Sequence, residues 1–392
     1  MRADVVIVGG GPVGCMTAAA IGKGFSVKIL EEHERTGVPE QCAGLVSPRV
    51  VDMVGGVHVL NKIYGAHIHF PDGRRLDLLG DEVKACVVER RRFDERCLEM
   101  ALAVGAELHT GERFSSYCRT DKGISLRTAS SKVFDCMIGV GADGYRSTFG
   151  RAVGLPSPQE TVRGIQVDIS KIPEDNSSVD VWVGNKVAPG FFAWSIPCGD
   201  FMRVGLCISK KGESPYPYLL PLLKMNGLEG AKRIRSYSGI IPIGHSKKTF
   251  DDNVLIVGDA AGQAKPLSGG GLFTGLTAAS IAGDVIRKAI LGEDCSSKTL
   301  REYEARWKRD FGKELDRGMI VRKTYVGMDD GTLNEVGAVL DTERCRAALS
   351  KGDIDRPTAI AKSVLRAAPG LIRFSPDLIT SFLPRRRRDD MS

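Results

Sequence analysis

The sequence predicts an α/β fold, α+β overall, in which a Rossmann-like nucleotide-binding domain is interrupted by an antiparallel β-sheet and followed by a helical C-terminal region. Three observations predict it. A β-branched run at 4–8 ends in Gly9-Gly10-Gly11-Pro12 and leads into a helix-forming segment rich in small residues. Strand-like segments fill the middle of the chain, several alternating in polarity as strands with one wet face do. Beyond Thr277 the pattern turns mainly helical. At 392 residues, 42% hydrophobic and 26% charged, the chain is long enough for two or three packed domains and too apolar to be disordered.

The elements follow in order. Residues 4–8 read as a buried parallel strand, 13–23 as a helix and 27–30 as a second strand, which makes a βαβ unit. Strands are expected at 66–70, 124–128, 137–140, 162–169, 179–183 and 202–208, and a further buried one at 253–257. Pro369, Pro376 and Pro384 break the last hundred residues into short pieces. Two charge-free stretches, 5–22 and 266–283, have the length of a membrane span or leader. Their Gly, Ser, Thr and Ala content fits a nucleotide-binding turn better.

Gly9-x-Gly11-x-x-Gly14 follows a strand and opens a helix. The first glycine permits the turn, the second lets backbone approach a pyrophosphate, and the third lets helix and strand pack closely. Glu31 ends the second strand, where a carboxylate accepts from ribose hydroxyls and repels a 2′-phosphate. Dinucleotide binding is the expectation. Two more segments select the dinucleotide. Asn253–Gly262 reads NVLIVGDAAG and is followed by Pro266-Leu267-Ser268-Gly269-Gly270-Gly271-Leu272. Gly141-Ala142-Asp143-Gly144 leads to Ser147 and Arg151. In this order the three motifs resemble those of the glutathione-reductase/hydroxylase-type FAD superfamily. That resemblance implies FAD, with Asp259 accepting from the ribityl chain and the helix after Gly271 facing the flavin. Asp143 and Arg151 serve equally well as braces of the fold. No second GxGxxG unit is present, so electrons are expected from a ferredoxin-like protein donor or from NAD(P)H docking transiently.

Three further segments narrow the family. These are Pro39-Glu40-Gln41-Cys42-Ala43-Gly44, the Arg90-x-x-Phe93-Asp94 start of a helix, and Pro189-Gly190-Phe191-Phe192-Ala193-Trp194-Ser195-Ile196-Pro197. Together they resemble the geranylgeranyl reductase family, especially the archaeal digeranylgeranylglycerophospholipid reductases, over roughly residues 1–320. The resemblance implies an FAD-dependent oxidoreductase of lipid biosynthesis that saturates C=C bonds of geranylgeranyl or other prenyl chains. It implies cofactor contacts at Gly9, Gly11, Gly14, Glu31, Cys42, Ala43, Arg90, Asp259, Gly270, Gly271 and Leu272. It implies substrate contacts at Pro189, Phe192, Trp194, Ile196 and Pro197. Phe192 stands where the family motif has Tyr, Ile196 where it has Phe, and Lys265 where an acidic residue is expected before the proline. Cys42 is the one thiol placed by a motif, and a catalytic role is assigned to it; water is the other proton source.

The implied organisation is an FAD-binding domain of residues 1–60, 85–160 and 250–290, an antiparallel-sheet substrate domain of 61–84 and 161–249, and a helical region of 291–392. Two alternatives stay open on the same fold. Trp194-Ser195-Ile196-Pro197 also fits the end of a flavin-dependent halogenase motif, whose lysine would have to be Lys62 or Lys84; a monooxygenase shares the architecture. The other alternative is an electron carrier or sensor without a prenyl substrate.

Ten cysteines without a C-x-x-C pair, and no leader pattern, read as reduced thiols in a cytoplasmic protein. No metal site is expected, His67 and His69 on one strand face lacking a third ligand. His33, after the ribose Glu, is left without a role. The net charge of +7 is concentrated near the end of the chain, in Arg385–Arg388. No nucleic-acid motif accompanies it. Apolar residues across 363–383 are expected to pack on the core. The alternative is peripheral contact with an anionic membrane on the cytoplasmic face, the arginines reaching headgroups.

Overall fold

The computed structural model describes residues 1–374 apart from 157, 159 and 211. The chain forms two compact units. The first combines Met1–Lys62, Ala85–Val162 and Tyr237–Leu315; the second combines Ile63–Lys84, Arg163–Ser236 and the chain from Asp316 on. The stretch 291–392, expected as a region of its own, is divided between them at Leu315. Its first helix, Ser297–Trp307, buries Leu300, Tyr303 and Trp307 within the first unit.

The first unit is built on an eight-stranded sheet. Arg2–Val8 lies between Val133–Gly141 and Val27–Leu30, parallel to both, and Val254–Ile256 adds parallel to Val133–Gly141. Val5, Val6, Ile7 and Val8 are buried on both faces, as the β-branched run requires. Each buried side chain of this kind contributes about 1.5–3 kcal/mol. Helix Pro12–Ile21 follows at once, with Pro in its first turn, and stops at Gly22, whose positive φ of 82° lets its N–H bond back to Ala18 O. Helix Leu272–Leu291 packs closely on it: a Cβ on Gly283 would stand 2.5 Å from Ala20 Cβ. The two charge-free stretches are thus strand, turn and helix in one case, and loop and helix in the other. Among the described residues no helix is long and apolar enough to cross a membrane.

A seven-stranded sheet, most of whose strands belong to the second unit, runs in the order Arg233–Ile243, Glu160–Ile169, Met202–Ile208, Phe192–Pro197, Ser178–Val183, Gly65–His69, Arg75–Leu78. It is mainly antiparallel, with one departure from expectation: Gly65–His69 runs parallel to Ser178–Val183. Those strands belong to separate excursions of the chain, so no hairpin dictates their direction. Helix Tyr216–Met225 sets Leu219, Leu222 and Leu223 on one sheet face, against Val167, Ile169, Ala193, Val204, Leu206 and Ile208. Farther on, Asp329 and Thr342 cap helices Asp330–Leu340 and Glu343–Leu349 by accepting from Thr332 N and Cys345 N. Of the apolar run 363–383, Val364 is buried and Ile372 exposed; the remainder, with Arg385–Arg388, lies largely outside the described residues.

Candidate functional site

In the first unit the turn 9–14 has no room for side chains on its inner side. Gly9 has φ +109°, and a Cβ there would meet Ala142 O at 2.3 Å; a Cβ on Gly14 would meet Gly9 O at 2.0 Å. A Cβ on Gly11 would meet nothing within 4 Å, so the start of helix Pro12–Ile21 is not covered there by its own chain, and no side chain caps it. Unpaired N–H groups and the helix dipole favour a phosphate at such an end. Glu31 Oε2 accepts from Gly10 N at 2.8 Å, and Oε1 accepts from His33 N at 3.0 Å and faces His33 Nδ1 at 2.7 Å. The carboxylate is thereby fixed beside the turn, and His33 gains a role as its anchor.

The second turn starts at Gly258, which has φ +68° and lies against Val13. Asp259 points its carboxylate toward Gly271, where a Cβ would stand 2.8 Å from Oδ1. Burial pushes the Asp259 carboxyl up to about 6, and the charge of Arg90 opposes the rise. Among the described residues that carboxylate has no hydrogen-bond partner, while the turn closes through Gly262 N to Asp259 O at 3.0 Å and Gln263 N to Gly258 O at 3.1 Å. Helix Leu272–Leu291 starts beside it without a side-chain cap. A half-buried acceptor beside an uncapped helix start suits a ligand that brings hydroxyls and negative charge, and FAD brings both. The residues present therefore fit FAD.

Two supports of this turn carry no motif. Gln263 Oε1 accepts from Gly258 N at 2.7 Å, and Gln263 Nε2 donates to the Tyr303 hydroxyl at 3.0 Å. Tyr303 in turn donates to Ile256 O at 3.1 Å from a fully buried position. Gln263 is next to the motif and could have been suspected. Tyr303, forty residues on, left no signal.

Cys42 and Arg90 meet. Arg90, at the start of helix Arg90–Ala103, forms a two-pronged ion pair with Asp94, Nε to Oδ1 at 2.9 Å and Nη2 to Oδ2 at 3.1 Å. Burial works against its charge, but Asp94 and then the Cys42 sulfur, which it also hydrogen-bonds, more than offset this. Cys42 Sγ accepts from Gly44 N at 3.4 Å as well. Cys42 is half-buried, whereas Cys15, Cys86, Cys97, Cys136, Cys198, Cys207, Cys295 and Cys345 are buried and Cys118 is exposed. Burial raises Cys15 well above its ordinary value and Cys97 and Cys136 to about 12, which leaves those thiols inert. Ala43 follows Cys42 in the same irregular segment, and Gly270 and Leu272 flank Gly271.

Asp143 is a brace: Oδ2 accepts from Phe149 N at 2.9 Å, and burial raises its carboxyl. Arg151 lies near enough to oppose that rise. Lys62 is exposed, and Lys84 pairs with Glu82 at 3.5 Å.

In the second unit, strand Phe192–Pro197 pairs with Ser178–Val183 and Met202–Ile208. Alternation puts Phe192, Trp194 and Ile196 on one face together with Val181, Val183 and Gly205, while Ala193, Ser195 and Pro197 point to the opposite face, where Ala193 packs toward helix Tyr216–Met225. Pro197 is therefore separated from the three apolar residues expected beside it, and Pro189 precedes the strand in a loop. Phe192 stacks on Phe191 at 4.5 Å and meets Trp194 edge-on at 6.0 Å. Gly205 lets Trp194 lie flat across the sheet: a Cβ there would stand 2.7 Å from Trp194 Cζ2. The buried indole Nε1 of Trp194 has no hydrogen-bond partner among the described residues. The loop before the strand is held by helix Lys313–Val326. Arg322, fully buried, donates to Ser209 Oγ at 2.8 Å and to Gly190 O at 3.4 Å and covers the Phe191 ring, while Tyr325 donates to Phe191 O. Sequence reasoning missed both.

His67 and His69 do share a face, but each is held by a carboxylate: His67 Nδ1 lies 2.6 Å from Asp77 and His69 Nε2 lies 2.7 Å from Asp180. Both are partly buried, and the contact of each ring is to a carboxylate rather than to a metal-binding group. No metal-binding group of three occurs among the described residues.

The chain matches the FAD binding domain family over residues 2–215. It is 35% identical to an uncharacterized protein of Methanocaldococcus jannaschii, over 93% of this chain and 95% of that one. It is 30% identical to the digeranylgeranylglycerophospholipid reductase of Methanothrix thermoacetophila, over 97% of this chain and 98% of the relative. Among solved structures, a geranylgeranyl bacteriochlorophyll reductase-like protein of Thermoplasma acidophilum shares the fold, with TM-score 0.83, 22% identity, and coverage of 96% of this chain and 99% of that one. This protein binds FAD and belongs to the flavoprotein family of the digeranylgeranylglycerophospholipid reductases.

Proposed function

We propose that this chain reduces C=C bonds in the geranylgeranyl chains of a membrane phospholipid or its precursor. The observation that carries the reading is the apolar strand face of Phe192, Trp194 and Ile196, backed by Val181 and Val183, in a chain of this family. That face offers an isoprenoid chain apolar contact area, and the acid on the same face, Asp168, is neutralised by Arg203 at 2.8 Å. An isolated alkene accepts hydride poorly, so a proton must arrive at one carbon as hydride arrives at the other. Bound FAD, once reduced, supplies the hydride. The chain's share is to hold the alkene, exclude water and supply the proton.

Cys42 is the proposed proton holder, at Sγ, because it is the half-buried thiol of the FAD-binding unit and is fixed by Gly44 N–H and Arg90. Arg90, locked by Asp94, is a positioning residue for Cys42. Gly9, Gly11, Gly14 and Glu31 are proposed to hold the adenosine diphosphate end of the cofactor, and Ala43, Asp259, Gly270, Gly271 and Leu272 the flavin end. A ferredoxin-like donor or a transiently docked nicotinamide, and contact with an anionic cytoplasmic membrane face, complete the proposal. Phe192, in place of Tyr, leaves the strand without a phenol of its own, which puts more weight on Cys42 or water as the proton source.

The test is turnover of a geranylgeranyl phospholipid by the reduced, FAD-loaded protein, read by product mass. Gain of two hydrogens per saturated bond is expected. Cys42→Ala should retain FAD and lose at least tenfold in rate. No mass gain with the wild type would refute the substrate; an unchanged rate in the variant would remove Cys42.

A further inference from the structure

Helix Tyr216–Met225 buries Leu219, Leu222 and Leu223 against the seven-stranded sheet, and the side it turns away from the sheet is almost as apolar. Residues four apart stand one above the other on a helix, so that side is made of two rows, Tyr216–Leu220–Lys224 and Pro217–Pro221–Met225. All six are exposed, Tyr216 by 64%, Leu220 by 57% and Met225 by 50%. A surface helix ordinarily turns charged and polar residues to water. This one carries a single charge, Lys224, and no acid. The chain that follows repeats the combination. The turn 226–231 closes through Leu228 N to Leu223 O at 2.8 Å and Ala231 N to Leu228 O at 3.1 Å, and delivers Lys232, Arg233 and Ile234. Ser170 N donates to Lys232 O at 2.9 Å, which brings Ile172 within two residues of that contact. Ile172 is 72% exposed and Ile234 49%. Residues 210–235 hold six lysines and arginines against two acids, Glu213 and Glu229. Lys210 pairs with Glu213 at 3.4 Å and Arg235 with Asp168 at 3.3 Å, while Lys224, Lys232 and Arg233 stand exposed around the apolar side chains.

We infer that helix Tyr216–Met225 is a membrane-docking element. Its outer side, Leu220, Pro221 and Met225 foremost, enters the interface of an anionic bilayer, and Lys224, Lys232 and Arg233 meet the phosphate headgroups. Apolar side chains set among headgroups, with cations at the rim and no acid on the helix, suit a helix that lies on a membrane rather than across it. At ten residues the helix is too short to span one. The lipid surface is that of the function proposed above, and the inference rests on that reading for its partner. The helix covers the sheet face opposite to Phe192, Trp194 and Ile196, so docking leaves the proposed prenyl face uncovered.

Co-sedimentation of the full, FAD-loaded chain with vesicles of phosphatidylglycerol or of phosphatidylcholine tests this. Wild type should bind phosphatidylglycerol vesicles at low salt and lose about tenfold in affinity on phosphatidylcholine or at high salt. Leu220→Glu combined with Met225→Glu should lose about tenfold on phosphatidylglycerol, and Lys224→Glu combined with Arg233→Glu a similar factor. The rate on detergent-dispersed geranylgeranyl phospholipid should stay at the wild-type value in both. Leu220→Ser combined with Met225→Ser carries the test if the glutamate variant does not fold. Wild-type vesicle binding in these variants overturns the inference, as does binding lost only when Arg385–Arg388 are replaced by serine, which assigns the contact to the chain end. A wild type that is dimeric without vesicles and monomeric in the Leu220–Met225 variant makes the face a contact between copies and overturns it as well. A protein that docks as described yet reduces no prenyl lipid, dispersed or in vesicles, keeps this inference and loses the proposed substrate. One that reduces the dispersed lipid and ignores vesicles keeps the substrate and loses the docking helix.

Discussion

At the scale of single residues, Asp259 is a carboxylate whose burial costs the FAD-free protein stability. Its carboxyl rises from 3.8 to about 6 because burial penalises the charge; the charge of Arg90 offsets this only in part, and no hydrogen bond among the described residues does so. Linkage sets the sign. Between those two values the folded state holds a proton that the unfolded state has released, so stability falls as pH rises through that window and stays lower above about 6. Asp259→Asn should therefore raise the melting temperature of the FAD-free protein at pH 8 and leave it unchanged near pH 3. The same variant should bind FAD more weakly, by about tenfold, for want of a charged acceptor. Thermal unfolding of both proteins at the two pH values, with a flavin titration, reads both effects. Equal melting temperatures at pH 8 would mean that Asp259 is compensated by a partner.

At the scale of elements, what was legible in the sequence was whatever the backbone itself demands. The turn 9–14 can be read because Gly9 and Gly14 have no space for a Cβ, and the buried strands because Val5–Val8 are covered on both faces. Asp259 was legible for the same reason, as it follows a strand and a glycine with positive φ. Supports that arrive from distant elements were not. Tyr303 holds Gln263 from helix Ser297–Trp307, and Arg322 holds the Gly190–Phe191 loop from helix Lys313–Val326, and neither lies in a pattern that spacing can reveal. The lone parallel pair in the second sheet was missed because pairing direction depends on chain excursions rather than on local alternation. Arg322 gives this scale its prediction. Arg322→Met would leave Ser209 Oγ and Gly190 O without this donor, a loss of about 1–3 kcal/mol in stability. Because the loop leads directly into Phe192–Pro197, KM for a prenyl substrate should rise about tenfold while FAD affinity stays at the wild-type value. Arg322→Lys should restore stability in part and KM less, since a lysine cannot reach both acceptors at once. A raised KM absent from both variants would detach the loop from the substrate.

At the scale of the whole molecule, the chain divides its tasks between two units that are each assembled from three separate segments. The first unit concentrates the dinucleotide turn, the Cys42–Arg90–Asp94 group and Asp259 beside its helix start; the second presents an apolar strand face on a mainly antiparallel sheet. Fold and cofactor follow from the first and from the family, and the substrate is proposed from the second. The most direct measurement is anaerobic. The FAD-loaded protein is reduced with dithionite, freed of excess reductant, and mixed with a geranylgeranyl phospholipid while the visible flavin absorption is followed. The account predicts that the oxidised flavin band returns without oxygen, in step with saturated product and with its fully saturated analogue inert. A band that returns only when air is admitted would contradict it, and would turn attention to the oxygen-dependent monooxygenase and halogenase chemistry that the same fold supports.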